Sequence, residues 1–357
     1  MKKVHNYSAG PCILPQEVFE EASKAILNFD NLNLSILEIS HRSKNFVAVV
    51  DEAVALVKEL LNVPKGYSVV FLQGGASLGF LISAYNMISD NKKSAYINTG
   101  TWSNKAIKEA KFVGEVDVIA SSEDKGFNYI PKGYTIPADC DFLHITTNNT
   151  IAGTQFHEIP NSPIPLVADM SSDIFSKEID VSKFDIIYAG AQKNMGPAGA
   201  TLFIVKDEIF ERNRIPMPTM LNLHTHVSKE SMFNTPPVFS IYVSMLNLRA
   251  IKKLGGVSEQ EKINNAKAEL LYAEIDRNPN FKGAAAVEDR SKMNVTFVLT
   301  DESKQEEFDK LWNEANINGL KGHRSVGGFR ASMYNALEID SVKVLTQVMS
   351  DFAAANA

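Results

Sequence analysis

The chain has 357 residues, more than one hydrophobic core usually serves, so two domains are expected. An apolar fraction of 45% and a charged fraction of 22% are ordinary for a globular protein and exclude a disordered one. The formal net charge of −6, without a basic stripe, excludes nucleic acid as the main partner, and no apolar run reaches transmembrane length.

Apolar strands alternate with amphipathic helices through roughly the first two-thirds of the chain, which predicts an α/β fold with a mostly parallel sheet. The expected strands cover residues 68–72, 94–98, 115–119, 141–146, 165–168, 185–189 and 201–205. The last of them follows a glycine-rich turn and is expected to be an antiparallel or edge partner. The expected helices cover residues 15–29, 46–61, 78–87, 103–111 and 242–254.

Gly255 and Gly256 end the last of these helices and predict a domain boundary. We expect a large domain over 16–257, a smaller α+β domain over 258–357 and an N-terminal segment, 1–15, that packs near the smaller domain. The smaller domain is expected to contain helices over 258–278, 302–315 and 339–354, a strand over 293–299 and a turn-rich segment over 319–328.

The amino-terminal residues and the two cysteines bear on the compartment. Cys12 and Cys140 lie far apart without a Cys-x-x-Cys spacing, which is typical of a reduced environment. The first residues lack the apolar run of a secretory signal. We therefore expect a cytoplasmic protein.

Two strand ends carry the most informative pair of side chains. Lys193 follows a buried strand in a turn rich in glycine and alanine, and Asp169 ends the preceding strand. A lysine that forms an imine and a carboxylate that keeps a pyridine nitrogen protonated are what pyridoxal phosphate requires. Taken alone, Lys193 could lie in a surface turn and Asp169 could cap the next helix.

Three further strand ends offer groups of the right kind. Residues 73–77, Gln-Gly-Gly-Ala-Ser, are expected to form a turn that leads into a helix, and the free amides at the helix start could bind a phosphate. Such a glycine-rich turn is common in α/β folds. Trp102 could stack on a planar ring or be a packing residue. Thr150 could bond to a ring hydroxyl or lie in an ordinary turn.

Two arginine-bearing segments predict recognition of a carboxylate or a phosphate, because arginine binds planar oxyanions through a fork of two donors. One contains His41 and Arg42, and the other contains His323, Arg324 and Arg330. Each His-Arg pair could instead be a solvated surface feature. The seven histidines show no spacing typical of metal ligands, so we expect no metal.

The chain resembles the phosphoserine aminotransferase family, fold-type I, class V enzymes that use pyridoxal phosphate. The resemblance runs nearly end to end. The segments that carry it are 7–12, 39–42, 74–77, 168–172, 189–194, 233–237, 322–324 and 330–336. It implies a large domain with a seven-stranded, mostly parallel sheet and a smaller C-terminal domain.

The resemblance implies that Lys193 forms an imine with pyridoxal phosphate and that Asp169 bonds the pyridine nitrogen. The other implied contacts to the cofactor are Ala76, Ser77 and Gln192 at the phosphate, Trp102 on the ring and Thr150 beside O3′. Some family members carry an arginine where this chain has Ser77, and the serine weakens one phosphate contact without changing the assignment.

The resemblance also implies a homodimer and a substrate site. In the family, the residues that match Asn234 and Thr235 reach the cofactor phosphate of the other subunit. By the same comparison Arg330 binds the substrate α-carboxylate. The groups implied for the distal phosphate or γ-carboxylate are His41, Arg42, His323 and Arg324.

The implied reaction is ping-pong amino transfer in serine biosynthesis, from L-glutamate to 3-phosphohydroxypyruvate, giving O-phospho-L-serine and 2-oxoglutarate. The family is also associated with 4-phosphohydroxythreonine in pyridoxal phosphate synthesis, and the sequence leaves that role open. An alanine–glyoxylate aminotransferase would need fewer basic groups, and a cysteine desulfurase needs a late cysteine, whereas none follows Cys140. A binding or regulatory module without activity would be favoured by loss of Lys193 or Asp169.

Overall fold

The computed structural model describes residues 3–212, 215–324 and 326–356. Its strands are β1 His5–Asn6, β2 Tyr67–Leu72, β3 Lys93–Asn98, β4 Glu115–Ser121, β5 Leu143–Thr146, β6 Asn148–Asn149, β7 Thr154–Gln155, β8 Leu166–Asp169, β9 Ile186–Gly190, β10 Thr201–Lys206, β11 Phe281–Gly283, β12 Asn294–Leu299, β13 Ile317–Asn318 and β14 Phe329–Ser332.

The helices are α1 Gln16–Leu27, α2 Lys44–Leu60, α3 Gly75–Met87, α4 Thr101–Ala110, α5 Leu223–Val227, α6 Val238–Leu254, α7 Val257–Arg277, α8 Gln305–Glu314 and α9 Ile339–Ala355. Across the described ranges, none of them is both long enough and apolar enough to span a bilayer.

A seven-stranded sheet in the described part of the chain has the order β2-β10-β9-β8-β5-β3-β4. Strand β10 pairs antiparallel with both β2 and β9, and the other pairings are parallel. The antiparallel arrangement expected for residues 201–205 is therefore observed. The edge alternative does not apply, because β2 and β4 form the edges of this sheet in the described residues.

The central strands are buried on both faces, as expected for runs rich in Val, Ile and Leu covered by helices. In the register of the sheet, Thr146 at the end of β5 pairs with Asp169 at the end of β8, and Asp169 pairs with Tyr188 of β9. The carboxyl ends of these parallel strands therefore meet at one edge, where ligands bind in open α/β sheets.

The C-terminal third contains a three-stranded antiparallel sheet, β11-β12-β14, packed with α7, α8 and α9. Its buried cluster joins residues from 268 onward with Tyr7 near the amino terminus. Strand β1 pairs with β13, and the Tyr7 hydroxyl donates to Ser341 O at 2.7 Å. The division into 1–15, 16–257 and 258–357 stays a prediction.

Strand β14 directly follows the turn-rich segment and had not been expected. It is only four residues long, and two glycines precede it, so its periodic signal is short. Phe329 and Ala331 point into the core, whereas Arg330, on the opposite face, keeps part of its surface exposed. The strand therefore fixes the direction of an arginine.

Candidate active site

A cavity of about 440 Å³ lies where the strand ends of the large sheet face β14. Nine of the residues predicted from the sequence line it: Ala76, Ser77, Trp102, Thr150, Asp169, Gln192, Lys193, His323 and Arg330. The other five, His41, Arg42, Asn234, Thr235 and Arg324, are not part of its lining.

Lys193 lies in the turn that follows β9. Its backbone N–H donates to Ala191 O at 2.7 Å, and its Nζ lies 3.4 Å from Thr150 Oγ1. The side chain keeps part of its surface open to the cavity, but the surrounding protein desolvates the ammonium and lowers its pKa. The Asp169 carboxylate opposes this shift, and the Arg330 guanidinium adds to it. The amine is thus easier to deprotonate than a free lysine.

Asp169 is buried and held by one neighbour. Its Oδ1 accepts hydrogen bonds from Ser171 Oγ at 2.6 Å and from Ser171 N at 2.9 Å. Within the described residues Oδ2 accepts no hydrogen bond from the protein, so it can accept one from a ligand. Desolvation raises the pKa of the carboxyl, while the Lys193 charge and the Ser171 bonds lower it.

The glycine-rich turn opens α3 three residues earlier than expected. Gly74, with φ of 95°, is the residue before the helix, and a Cβ there would lie 2.5 Å from Leu78 Cδ2. The helix therefore begins at Gly75, and Ala76 and Ser77 fall in its first turn. The amides of a first helical turn lack partners within the helix and favour an anion.

Three polar atoms on the cavity residues are buried without a partner in the described structure. They are Trp102 Nε1, Thr146 Oγ1 and Arg330 Nε. Unpaired buried donors cost free energy, so their presence indicates a site that a polar ligand completes. The Lys193 Nζ lies 5.5 Å from the centre of the Trp102 ring.

Arg330 and His323 form the wall opposite the strand ends. Arg330 Nη1 lies 3.4 Å from Thr150 O, and burial lowers the pKa of its guanidinium. Desolvation is the main cause that lowers the pKa of His323, followed by the charges of Arg330, Arg324 and Lys105. The wall is cationic, and Asp169 is the one acidic residue in the cavity lining among the described residues.

The remaining predicted residues lie elsewhere on the chain. Arg42 is exposed in the segment before α2, and His41 Nε2 is buried without a partner in the described part. Asn234 Nδ2 donates to Gln73 Oε1 at 3.1 Å, and Gln73 Nε2 donates to Thr235 O at 2.5 Å. This segment therefore lies beside the glycine turn of its own chain without lining the cavity.

Two contacts of the site had not been identified from the sequence. Ser171 binds Asp169 and also accepts a hydrogen bond from Gly190 N at 3.0 Å, so it joins the ends of β8 and β9. Cys12 Sγ donates to Lys193 O at 2.6 Å. The only available signal for Ser171 was its place two residues after a strand-terminal aspartate. No group of three or more His, Cys, Asp and Glu side chains in the described ranges could hold a metal ion.

Comparisons with known proteins place this site in a family. The profile of the class-V aminotransferases matches residues 4–345. The chain belongs to this family. A phosphoserine aminotransferase of Flavobacterium johnsoniae is 63% identical over 350 residues, which cover 98% of both chains. The family and the enzyme class expected from the sequence are confirmed.

Solved structures agree with the sequence matches. The phosphoserine aminotransferase of Bacillus circulans subsp. alkalophilus is 40% identical, covers 100% of both chains and superposes with a TM-score of 0.96. A phosphoserine aminotransferase of Trichomonas vaginalis with bound PLP is 34% identical, has a TM-score of 0.92 and covers 98% of this aminotransferase and 100% of its own chain. The fold-type I architecture is confirmed.

Proposed function

We propose that this aminotransferase interconverts 3-phosphohydroxypyruvate and L-glutamate with O-phospho-L-serine and 2-oxoglutarate. The observation that carries the proposal is one cavity that combines the Lys193 amine, the Asp169 carboxylate and the Arg330 guanidinium. The close sequence relatives named phosphoserine aminotransferase support the choice of substrate. A cytoplasmic location is consistent with the two free cysteines, Cys12 and Cys140.

The residues of the cavity fit pyridoxal phosphate. The first turn of α3 and Gln192 suit its phosphate, and the Trp102 ring suits its flat heterocycle. Asp169 Oδ2 is free to accept from a protonated pyridine nitrogen, whose charge would offset the desolvation of the carboxylate. When bound, the cofactor supplies an aldehyde for the amino group and a ring that takes up electrons.

The chain's own groups then position the substrate and move its proton. Lys193 is placed to hold the cofactor and, as a neutral amine, to take the proton from the substrate α-carbon and return it later. Arg330 is placed to bind the α-carboxylate through its fork of donors. Desolvation raises the pKa of Asp169, and the Lys193 charge and the Ser171 hydrogen bonds oppose that rise and so favour the ionised carboxylate.

We further propose that the active unit is a homodimer. Arg42 is exposed and outside the cavity of its own chain, which supports a role for it and His41 at the partner's cavity. Asn234 and Thr235 lie beside the glycine turn, where a short step across a subunit contact would reach a second phosphate site. The distal anion would then contact His323 and Arg324 of one chain and His41 and Arg42 of the other.

The test is turnover of O-phospho-L-serine with 2-oxoglutarate, measured as glutamate formed by the purified protein supplied with pyridoxal phosphate. L-Alanine with glyoxylate serves as the competing pair. We expect phosphoserine to be the preferred donor by at least about a hundredfold in kcat/KM, since a cationic wall favours a substrate with a distal anion over one with an uncharged side chain. Preference for alanine would reject the proposed substrate.

A further inference from the structure

Lys105 is a cation near the cavity to which the proposed mechanism gives no role. It lies in the first turns of α4, is exposed, and its Nζ lies 4.5 Å from the centre of the Trp102 ring. Lys105 is not part of the cavity lining, but Trp102 and His323, the two residues on which its charge acts, both are, so the ammonium lies beside the cavity. The structure assigns Lys105 no carboxylate partner among the described residues. A cation of this kind is available to a ligand.

The charge of Lys105 acts on the same wall as the arginines. Together with Arg330 and Arg324 it lowers the pKa of His323, after desolvation as the main cause. The charges of three cations thus act on one imidazole: Lys105 of α4, Arg324 in the connection before β14 and Arg330 within β14. Asp169, the acidic residue of the cavity lining in the described residues, lies at the sheet end and does not separate these three cations. Their mutual repulsion is therefore relieved when an anion binds between them.

The two proposed substrates differ in the anion they present. A phosphate monoester carries a charge of about −1.5 to −2 near neutral pH and three acceptor oxygens. A γ-carboxylate carries one charge and two oxygens, which one arginine fork can satisfy. A further point charge on a flexible stem, such as a lysine, therefore adds more to phosphate than to carboxylate.

We propose that Lys105 is a specificity-determining residue that binds the distal phosphate and favours phosphoserine over glutamate. This inference rests on the proposed function and deepens it. The exposed side chain can turn from the Trp102 ring toward a phosphate at the cavity rim. Binding of glutamate depends on it much less.

The test compares Lys105→Gln with wild type in the loaded enzyme, with KM measured separately for phosphoserine and for glutamate. We expect the KM for phosphoserine to rise about fivefold and the KM for glutamate to change less than about twofold, as for loss of one partly exposed ion pair. Lys105→Arg should restore the phosphoserine value. Lys108→Gln, one turn along the exposed side of α4, is the matched control and should behave as wild type.

A second readout needs no turnover. Calorimetry with the non-reacting pair 3-phosphoglycerate and glutarate should show weaker binding of 3-phosphoglycerate alone in Lys105→Gln. Equal changes for both ligands would mean that Lys105 only supports Trp102, and no change would mean that it does not reach the ligand; either result overturns the inference. If the wild-type protein does not use phosphoserine, the proposed function itself is rejected. If the wild-type protein turns over phosphoserine and the KM is unchanged in Lys105→Gln, only the role of Lys105 is rejected.

Discussion

The cofactor half of the cavity and the half expected to bind the distal anion are built in different ways. In the first, Asp169 ends β8 and Lys193 lies in the turn after the neighbouring strand β9, and the pairing of the two strands fixes where these residues lie. In the second, His323 and Arg324 lie in a connection before β14, and Arg42 lies on an exposed segment far along the sequence. In the first half, the amine and the carboxylate come from one chain and one sheet, whereas the groups expected at the distal anion are dispersed along the sequence.

This difference indicates which interactions each half depends on. Groups at the ends of buried strands are held by packing and need no partner to be in place. Groups on exposed segments lose side-chain freedom only when a ligand or a second subunit orders them. We therefore expect changes in the first half to affect catalysis and changes in the second to affect affinity for the substrate.

The largest effect is expected for Asp169→Asn, which keeps the shape of the side chain but removes its charge. Its kcat should fall on the order of a hundredfold to a thousandfold, as for loss of a preorganised charge at a reacting group. Asp173→Asn is the matched control, because Asp173 is equally buried but its carboxylate is bound by Thr147 and Gln155. Comparable kcat losses in both variants would show that burial, rather than position at the strand end, explains the effect.

A hybrid dimer tests whether the second half is shared between subunits. Arg42→Ala alone should raise the KM for phosphoserine by about tenfold or more, since a charge-assisted hydrogen bond is lost. Lys193→Ala alone should be inactive. A hybrid dimer pairs one Arg42→Ala chain with one Lys193→Ala chain. If Arg42 contributes to the partner's site, one site of this dimer carries both defects and the other is intact.

The readout is turnover by the purified hybrid at phosphoserine concentrations below the KM of Arg42→Ala. We expect about half of the wild-type rate per dimer. A hybrid that shows only the low-affinity turnover of Arg42→Ala would place Arg42 in its own chain's site and would remove the contrast between the two halves.

A smaller effect is expected for Ser171→Ala. Loss of the hydrogen bond at 2.6 Å removes one cause that lowers the pKa of Asp169, so the pKa rises further. Because Asp169 must be ionised, activity should be lost at a higher pH as the pH falls, and kcat near neutrality should drop about fivefold. Ser176→Ala, which removes a buried hydroxyl bound to Asp173 O, is the control and should keep the wild-type pH profile.

The smallest effect is expected for Lys267, which binds the backbone next to β14, the strand of the second half that holds Arg330. Lys267 of α7 is 0% exposed, and its Nζ donates to Met333 O and Tyr334 O, just after the strand that holds Arg330. Desolvation lowers its pKa to about 7, partly opposed by Cys12. Between this value and the higher pKa of an unfolded lysine, the unfolded chain binds more protons, so the contribution of Lys267 to stability rises with pH.

We therefore expect the stability of wild type relative to Lys267→Met to increase between pH 7 and pH 9, by roughly 1 kcal/mol per pH unit. Urea unfolding at the two pH values measures the difference. Lys262→Met, at an exposed position of the same helix, should show no such dependence. A pH-independent difference for Lys267→Met would mean that Lys267 is charged in the folded protein.

The same contrast explains what could be predicted from the sequence. The strands that end at Asp169 and before Lys193 are continuous apolar runs, and chain order alone places their ends at one edge of the sheet. Strand β14 is too short for such a pattern, and Lys267 lies in a helix of mixed charge where a lysine is ordinarily solvated. The hydrogen bond from Ser171 to Asp169 depends on side-chain geometry that no spacing specifies.

The most direct test of the account is to find which lysine carries the cofactor. The purified protein, supplied with pyridoxal phosphate, is reduced with borohydride, digested and analysed by mass spectrometry. We predict that the added mass lies on the peptide that contains Lys193 and is missing in Lys193→Ala. Added mass on another lysine, such as Lys267, or no stable addition at all, would contradict the account.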